Sequence, residues 1–540
     1  MTQTRAHRWL DLAFLALIAL VAYLPGLAAL PPVDRDEARY MQATVQMAET
    51  GDLIDIRFQD EARYKKPAGA YWAQLASLTA TGQLDDVRRG ERAAWAHRLP
   101  SVIGALIAVW ATYLTGAALF GRREALLGAG WIAVSVSLAF EAHIAKTDAL
   151  LAGAAAVALY GIAARKAWQT WFAIAVGTLI KGPILLGVGG LALLTDALWT
   201  RSAKRLRALA RPLPILVALG ITLPWFIAIG IETDGAFFAE ALGRDLGGKI
   251  AGAQETHGGT PGYYALTTLA MFWPGVLALP VAAMFAWRER RNATVRLLVA
   301  WTLPMWVLLE FVPTKLPHYT LPLYPALALL AGAGWVRLTE AGRTRIAGLA
   351  VAAFVAALLS VGTGAAIWER AGPVLSVSVA ASLTALSVAA LWFVRQARDR
   401  VALALAALFV GLGFTALSRS PLLDLTPRLV AQSPAGARIV SPDYREPSLV
   451  FMAGTDTQLT RGARPGDVLV LASGTPPPAC AGAGESVSGT NYAKGRQMTL
   501  TMFDTTECSA AALTEWAYSS PTQRRPDQAS RDRPGDQWSE

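Results

Sequence analysis

Long apolar blocks constrain this chain more than any other feature. Up to about residue 417 the sequence is a succession of apolar stretches of roughly 17–25 residues, each long enough to cross a hydrocarbon core as a helix. Lipid offers no hydrogen bonds to a peptide group, so a spanning segment must satisfy its own backbone, and a helix does this within one segment. The blocks lack the polar stripe, repeating every 3.6 residues, that a helix half-facing water would carry. With 54% apolar and 16% charged residues, the chain is poorer in charge than soluble proteins, where about a quarter of residues are charged.

Length and hydropathy predict about thirteen spans, at 9–30, 97–120, 124–140, 147–164, 168–180, 183–199, 212–231, 262–287, 296–313, 319–338, 345–367, 374–394 and 400–417. Charge supplies an independent check. With the N-terminus inside, every second connection should be basic. These connections are Arg122 with Arg123, Arg165 with Lys166, Arg201 through Arg211, Arg288 through Arg296, Arg337 through Arg345, and Arg395 through Arg400. Lys and Arg resist translocation, so this side is expected to be cytoplasmic. The same clustering accounts for the net charge of +10 without a nucleic-acid partner, because no nucleic-acid motif accompanies it. The stretch 9–30 is too long for a signal-peptide core and reads as a retained first span.

The opposite connections are 31–96, 141–148, 181–182, 232–261, 314–318, 368–373 and everything after about 418. In the first, Ala38, Met41, Val45 and Ala48 share one helical face before Gly51, which predicts an amphipathic helix lying on the membrane surface. A second helix is expected from Pro67, carrying Tyr71, Trp72, Leu75 and Leu78. Beyond the last span, strand-like runs occur at 438–440, 448–452, 467–471 and 498–503. The expected organisation is a membrane domain at 1–417 with juxtamembrane helices in 31–96, a small α/β or β-rich domain at 418–518, and a disordered tail at 519–540. Cys480 and Cys508 both lie in that outer domain, where either a disulfide or two free thiols would be chemically allowed. No repeat of fixed period is expected.

Polar chemistry gathers on the outer side. Asp34-Arg35-Asp36-Glu37-Ala38-Arg39-Tyr40 directly follows the first span, and Lys146-Thr147-Asp148 opens another. An acid at a helix start is ordinarily a cap. Two acids at the same membrane depth point instead to a shared site. The basic candidates are Lys65-Lys66-Pro67, Lys181-Gly182-Pro183 and Lys315-Leu316-Pro317-His318-Tyr319. A lysine at a span end commonly snorkels to the headgroups. The positive-inside trend makes outer lysines scarce, however, and several of them near two acids suit a bound phosphate, whose growing charge an ammonium offsets. His257, before Gly258-Gly259 and Tyr263-Tyr264, is either a solvated loop histidine or part of a loop that folds over a pocket to touch substrate or metal.

The ordered set of motifs resembles one family. Asp36-Glu37-Ala38-Arg39-Tyr40, Met47-Ala48-Glu49-Thr50-Gly51-Asp52, Tyr64-Lys65-Lys66-Pro67 and Tyr71-Trp72 are similar to the first periplasmic loop of the lipid A aminoarabinose transferases. Those enzymes sit with the protein O-mannosyltransferase-like proteins in the GT-C class of glycosyltransferases. Thr147-Asp148, Lys181-Gly182, Pro261-Gly262-Tyr263-Tyr264, and Lys315 to Tyr319 followed by Leu321-Pro322 extend the resemblance, in order, over most of the membrane portion. It implies a mainly α, polytopic helix bundle of GT-C type in a bacterial inner membrane, with the site and a small C-terminal domain in the periplasm. It implies catalytic roles for Asp36 and Asp148, and donor-phosphate binding by Lys66 with Lys315 and Lys181. It places Glu37, Arg39, Tyr40, Tyr64, His257, His318 and Tyr319 around the substrates.

One departure bears on metal. The family tends to carry Phe-Glu-Lys-Pro where this chain has Tyr64-Lys65-Lys66-Pro67, and that glutamate has been implicated in binding a metal with a loop histidine. No cofactor is therefore expected to be required, and a divalent metal at His257 is optional at most. The implied reaction is inverting transfer of a sugar from a polyprenyl (undecaprenyl) phosphate donor to a periplasmic acceptor, lipid A first among them. A hydroxyl acceptor would make Asp36 a general base; an ionised lipid A phosphate would leave it to orient the acceptor or stabilise oxocarbenium charge. A protein or surface-polysaccharide acceptor is the nearest alternative. A flippase or transporter would carry ionisable residues at mid-membrane and inverted repeats, and neither is visible.

Overall fold

The computed structural model describes residues 2–33, 35–88, 90–241, 243, 259–338, 342–434 and 436–518. The tail predicted at 519–540 lies outside the described residues. Helices follow the apolar blocks. In chain order they are α1 (Thr2–Tyr23), α2 (Asp36–Thr50), α3 (Gly69–Ala80), α4 (Leu84–Arg88), α5 (Ala94–Leu119), α6 (Arg122–Ala133), α7 (Val136–Ala142), α8 (Asp148–Ala163), α9 (Ala167–Lys181) and α10 (Ile184–Thr200). The longest that follow are Pro212–Glu232, Ala293–Phe311, Tyr324–Arg337, Gly342–Arg395 and Asp399–Leu417.

The chain is a multi-pass membrane protein. Among the described residues seven helices are long and apolar enough to cross a membrane, or eight if α6 and α7, bent by 55° at their break, form one span. The difference from thirteen has structural reasons. Asp148–Ala163, Ile184–Thr200 and Gly275–Arg288 are apolar but short. Gly342–Arg395 runs through two predicted spans and is broken at Gly372, whose φ is 74°. Leu216, Leu223, Ile227 and Ile231 on one helix, and Phe354, Leu358 and Val361 on another, are exposed, as contact with lipid tails requires.

Small residues set the interior spacing. A Cβ on Gly153 of α8 would lie 2.6 Å from the Gly104 carbonyl oxygen of α5, and one on Gly104 would lie 2.7 Å from the Ala149 oxygen. The glycines therefore let α5 and α8 touch backbone to backbone, the usual device where hydrophobicity cannot drive helices together.

Charge separates the two ends of the bundle. At one end Asp11 of α1, fully buried, accepts from Arg122 Nε at 2.6 Å and Tyr113 Oη at 2.7 Å and also pairs with Arg400. Arg123 meets Asp399 at 2.8 Å there, and Arg337 meets Glu124 at 3.0 Å. At the other end Arg98 of α5 donates to both oxygens of Glu37, at 2.7 and 3.0 Å. Its remaining donors go to the carbonyls of Leu27, Leu30 and Pro31. Glu37 in turn accepts from the backbone N–H groups of Val33 and Ala145, both at 2.8 Å.

Beyond Leu417 a mixed four-stranded sheet forms from β3 (Ile439–Val440), β4 (Val468–Ala472), β5 (Glu485–Asn491) and β6 (Arg496–Asp504), in the order β3-β4-β6-β5. A separate hairpin pairs β1 (Arg57–Phe58) with β2 (Glu61–Ala62). The pairing β3–β4 is parallel and the other two in the sheet are antiparallel. The run expected as a strand at 448–452 is instead the helix Pro447–Ala453. Four consecutive apolar residues, Leu449 to Met452, suit either period, and Pro447 in the first turn favours the helix. β5 escaped the sequence reading because Ser, Gly and Thr dominate it. Cys480 and Cys508 form a disulfide with Cα atoms 5.1 Å apart.

The C-terminal region sits on α2. Phe451 packs with Met41, Val45, Ala48 and Ala145, and its ring meets His97 edge-on at 5.6 Å. Gln42 donates to Thr455 at 2.8 Å, and Gln59 donates to the Thr455 carbonyl at 3.0 Å. The apolar face of α2 thus packs against protein rather than lipid, which differs from the expectation of a helix lying on the membrane surface. Removing Arg98 as Arg98→Met should leave Glu37 buried and unpaired, a change that costs about 3–5 kcal/mol in comparable pairs. Thermal unfolding in detergent should show the loss, while Arg57→Met, at an exposed pair with Asp55, should change stability by about 1 kcal/mol or less.

Candidate active site

α2 starts with Asp36 and Glu37 in its first turn and ends at Gly51, whose φ of 76° is a conformation glycine adopts without a Cβ penalty. No side chain caps its start, so Asp36 is not spent as a cap. Its side chain stays accessible to solvent yet is surrounded by protein. Desolvation alone would raise its pKa. The charges of Lys146, Arg63 and Arg39 outweigh that and hold it at about 2.

Asp148 and Lys181 are brought together by a helical hairpin. α8 begins with Asp148, α9 ends with Lys181, and residues 164–166 turn the chain between them. The acid at a helix start and the lysine at a helix end each complement the local helix dipole. Lys181 Nζ donates to Asp148 Oδ1 at 2.6 Å. The neighbouring Thr147 makes no side-chain cap.

The turn before α8 adds Lys146. Its ammonium lies 3.2 Å from Glu141 Oε1 and 3.6 Å from Asp148 Oδ2. Burial would lower the pKa of Lys146, but Glu141, Asp148 and Asp36 together raise it, so it stays charged. His318 reaches the same acids, with Nδ1 3.6 Å from Glu141 and Nε2 3.9 Å from Asp148. The Tyr319 ring lies 5.7 Å beneath the Lys181 ammonium. On the α2 side, Arg63 Nε donates to Tyr71 Oη at 3.2 Å, and its guanidinium lies 5.0 Å from the Tyr40 ring. Tyr40 and Tyr71 stack at 5.0 Å.

Asp36, Asp148, Lys181, Arg39 and His318 therefore belong to one electrostatic cluster, with Tyr40 and Tyr319 at its edge. Lys66 donates to the Lys65 carbonyl at 2.9 Å near the surface. Lys315 is buried and donates to the Gly259 carbonyl at 2.7 Å. Tyr64 packs on Phe237 at 6.0 Å, and its burial and bond to Asp55 push its hydroxyl pKa to about 12. Glu37 does not face a substrate space: it is 2% exposed and its oxygens are taken by Arg98 and backbone N–H groups. His257 lies outside the described residues. Among those described, no group of three or more His, Cys, Asp or Glu is arranged to hold a metal. The ammonium groups of Lys146 and Lys181 already serve Glu141 and Asp148 as counter-charges.

Three members of the cluster were not singled out from sequence: Glu141, Lys146 and Arg63. For Arg63 a signal existed. The pentapeptide Asp-Glu-Ala-Arg-Tyr occurs at 36–40 and again at 60–64, and both of its arginines act on Asp36.

No family model matches the chain. Over 348 residues it is 28% identical to an undecaprenyl phosphate-alpha-4-amino-4-deoxy-L-arabinose arabinosyl transferase 2 of Pseudomonas fluorescens, covering 61% of this chain and 60% of that protein. Over 324 residues it is 26% identical to the transferase of that name from Erwinia tasmaniensis, covering 57% and 56%. The match thus spans less than two thirds of these curated relatives. Among solved structures, ArnT from Cupriavidus metallidurans bound to undecaprenyl phosphate superimposes with a TM-score of 0.71 at 20% identity, over 91% of this chain and 97% of that one. The chain has the ArnT fold. The resemblance first visible in the loop motifs is thus found again in sequence similarity over 61% of the chain and in the ArnT architecture.

The depressed pKa of Asp36 carries a pH signature. A carboxyl held at about 2, against an ordinary 3.8, contributes stability that is fully present above the ordinary value and lost as pH falls towards 2. The gap in thermal midpoint between wild type and Asp36→Asn should stay constant above about pH 5 and close between about pH 4 and pH 2.

Proposed function

We propose that the protein is an inverting glycosyltransferase that moves a sugar from undecaprenyl phosphate to lipid A. The observation that carries this reading is the accessible, ionised Asp36 ringed by Lys146, Arg63 and Arg39, within an ArnT fold. The names of the relatives and the undecaprenyl phosphate bound to the Cupriavidus ArnT support the donor class.

In this reading the donor phosphate meets the lysines of the site, with Lys66 and Lys315 contacting it and Lys181 holding Asp148 in place. Cationic side chains offset charge as it develops on the departing phosphate. The acceptor attacks the anomeric carbon from the opposite face, so a single displacement inverts configuration. A carboxylate with a pKa of about 2 is a weak base at neutral pH and a poor match for abstracting a hydroxyl proton. It is well suited to stabilising positive charge on the sugar ring. This favours an acceptor oxygen that is already ionised, such as a lipid A phosphate. Asp148 positions substrate beside it, and no step is routed through a metal.

The same reading assigns 1–417 to an inner-membrane domain with a cytoplasmic N-terminus, and 418–518 to a periplasmic domain. The orientation is supported by the basic connections gathered at the end opposite the acid cluster. An alkaline phosphatase fusion within 201–211 should be inactive and one after 418 active; the reverse would overturn the orientation. For function, mass spectrometry of lipid A and envelope glycans should be compared among cells lacking the protein, restored with wild type, and restored with Asp36→Asn. A sugar should vanish from lipid A on deletion and return only with wild type. Loss from a protein or polysaccharide instead would move the assignment to that acceptor, and full rescue by Asp36→Asn would remove Asp36 from the reaction.

A further inference from the structure

The geometry points to a glycosyl-phosphate subsite at Lys146 and Glu141, in which Lys146 takes an anionic phosphate oxygen and Glu141 takes hydroxyl or amine hydrogens of the sugar. This rests on the donor class proposed above.

Glu141 is 1% exposed, and among the described residues neither carboxylate oxygen has a well-directed hydrogen-bond partner. Lys146 lies 3.2 Å from one of them as an ion pair. A buried carboxylate with open lone pairs is rare in a folded protein and ordinarily marks a place where something else binds. The same ammonium lies 3.6 Å from Asp148. Two neighbouring cations are committed. Lys181 donates to Asp148 at 2.6 Å, and Arg63 to Tyr71. Lys146 is also the largest attractive charge acting on Asp36, so a phosphate held by it would lie beside the carboxylate assigned to the sugar ring.

A glycosyl phosphate supplies what the pair lacks. Its oxyanions suit an ammonium, and its ring hydroxyls or amine, adjacent to the anomeric phosphate, suit a carboxylate. His318 touches both acids, at 3.6 and 3.9 Å, without a hydrogen bond to either among the described residues.

The test uses the full chain in lipid nanodiscs and undecaprenyl phosphate, which carries no sugar, as the probe in native mass spectrometry. Wild type should bind it. Lys146→Gln should weaken binding by about tenfold or more and Lys146→Arg should recover most of it. Glu141→Gln should bind the probe as tightly as wild type or more tightly, because it frees the ammonium, yet fail to restore the missing envelope sugar in cells. A merely structural Glu141 would weaken both readouts together. Equal probe binding by wild type and Lys146→Gln, or full cellular rescue by Glu141→Gln, would overturn the subsite. Failure of wild type to bind would overturn the donor reading itself. Should Lys146→Gln not accumulate, Glu141→Gln carries the test, since it keeps the shape of the pair and both lysines.

Discussion

The arrangement of the site depends on one buried ion pair. Arg98 and Glu37 are desolvated together, and a single guanidinium fixes the end of the first span through three carbonyls while holding the carboxylate of α2. Glu37 then fastens the Ala145 N–H. Asp36 is the residue before Glu37, and Lys146 the residue after Ala145. Asp36 and the ammonium that acts on it most strongly are therefore positioned by adjacent backbone, not by their own attraction. Planar, bidentate geometry is what lets arginine serve so many partners at once, and lysine could not replace it.

Around that anchor the electrostatics follow from a shortage of water. Asp36, Asp148 and Glu141 face Lys146, Lys181, Arg39 and Arg63 within one protein volume. Buried charges of one sign would neutralise themselves by shifting protonation. Mixed charges hold Asp36 and Lys146 ionised, which keeps strong, fixed fields ready for a substrate that brings its own charge. The fold supplies the pieces from separate elements: a helix start, the turn before a second helix, the end of a third and a short hairpin. The C-terminal region completes the enclosure by docking Phe451 over α2 and setting Glu446 near Arg39.

Much of this was legible in the sequence, and the exceptions have physical causes. Apolar blocks and basic connections disclosed a membrane bundle because lipid enforces them. Asp36, Asp148 and Lys181 were legible because each stands at a helix terminus beside Gly, Pro or the end of a span. Glu141 was passed over because it falls within an apolar helix, α7, where nothing local announces its partners. Lys146 was noticed only as a neighbour of Asp148. Arg63 directly follows a two-residue strand, in a pentapeptide that copies the start of α2, so identical residues lie along a hairpin in one place and a helix in the other. Tertiary context decided both conformations, and it alone brought the two arginines to one carboxylate. The count of thirteen spans is not confirmed among the described residues, because several predicted spans are short helices and two are joined in Gly342–Arg395.

The central claim is that the protein consumes a polyprenyl-phosphate-linked sugar at Asp36. Its most direct test is the pool of that donor. Lipids should be extracted from membranes of wild-type cells, of cells lacking the protein, and of cells restored with Asp36→Asn, and the undecaprenyl phosphate-linked sugars quantified by mass spectrometry. One glycosylated undecaprenyl phosphate should accumulate in the deletion and remain raised with Asp36→Asn, which would also identify the sugar. An unchanged pool of every such lipid would contradict the account.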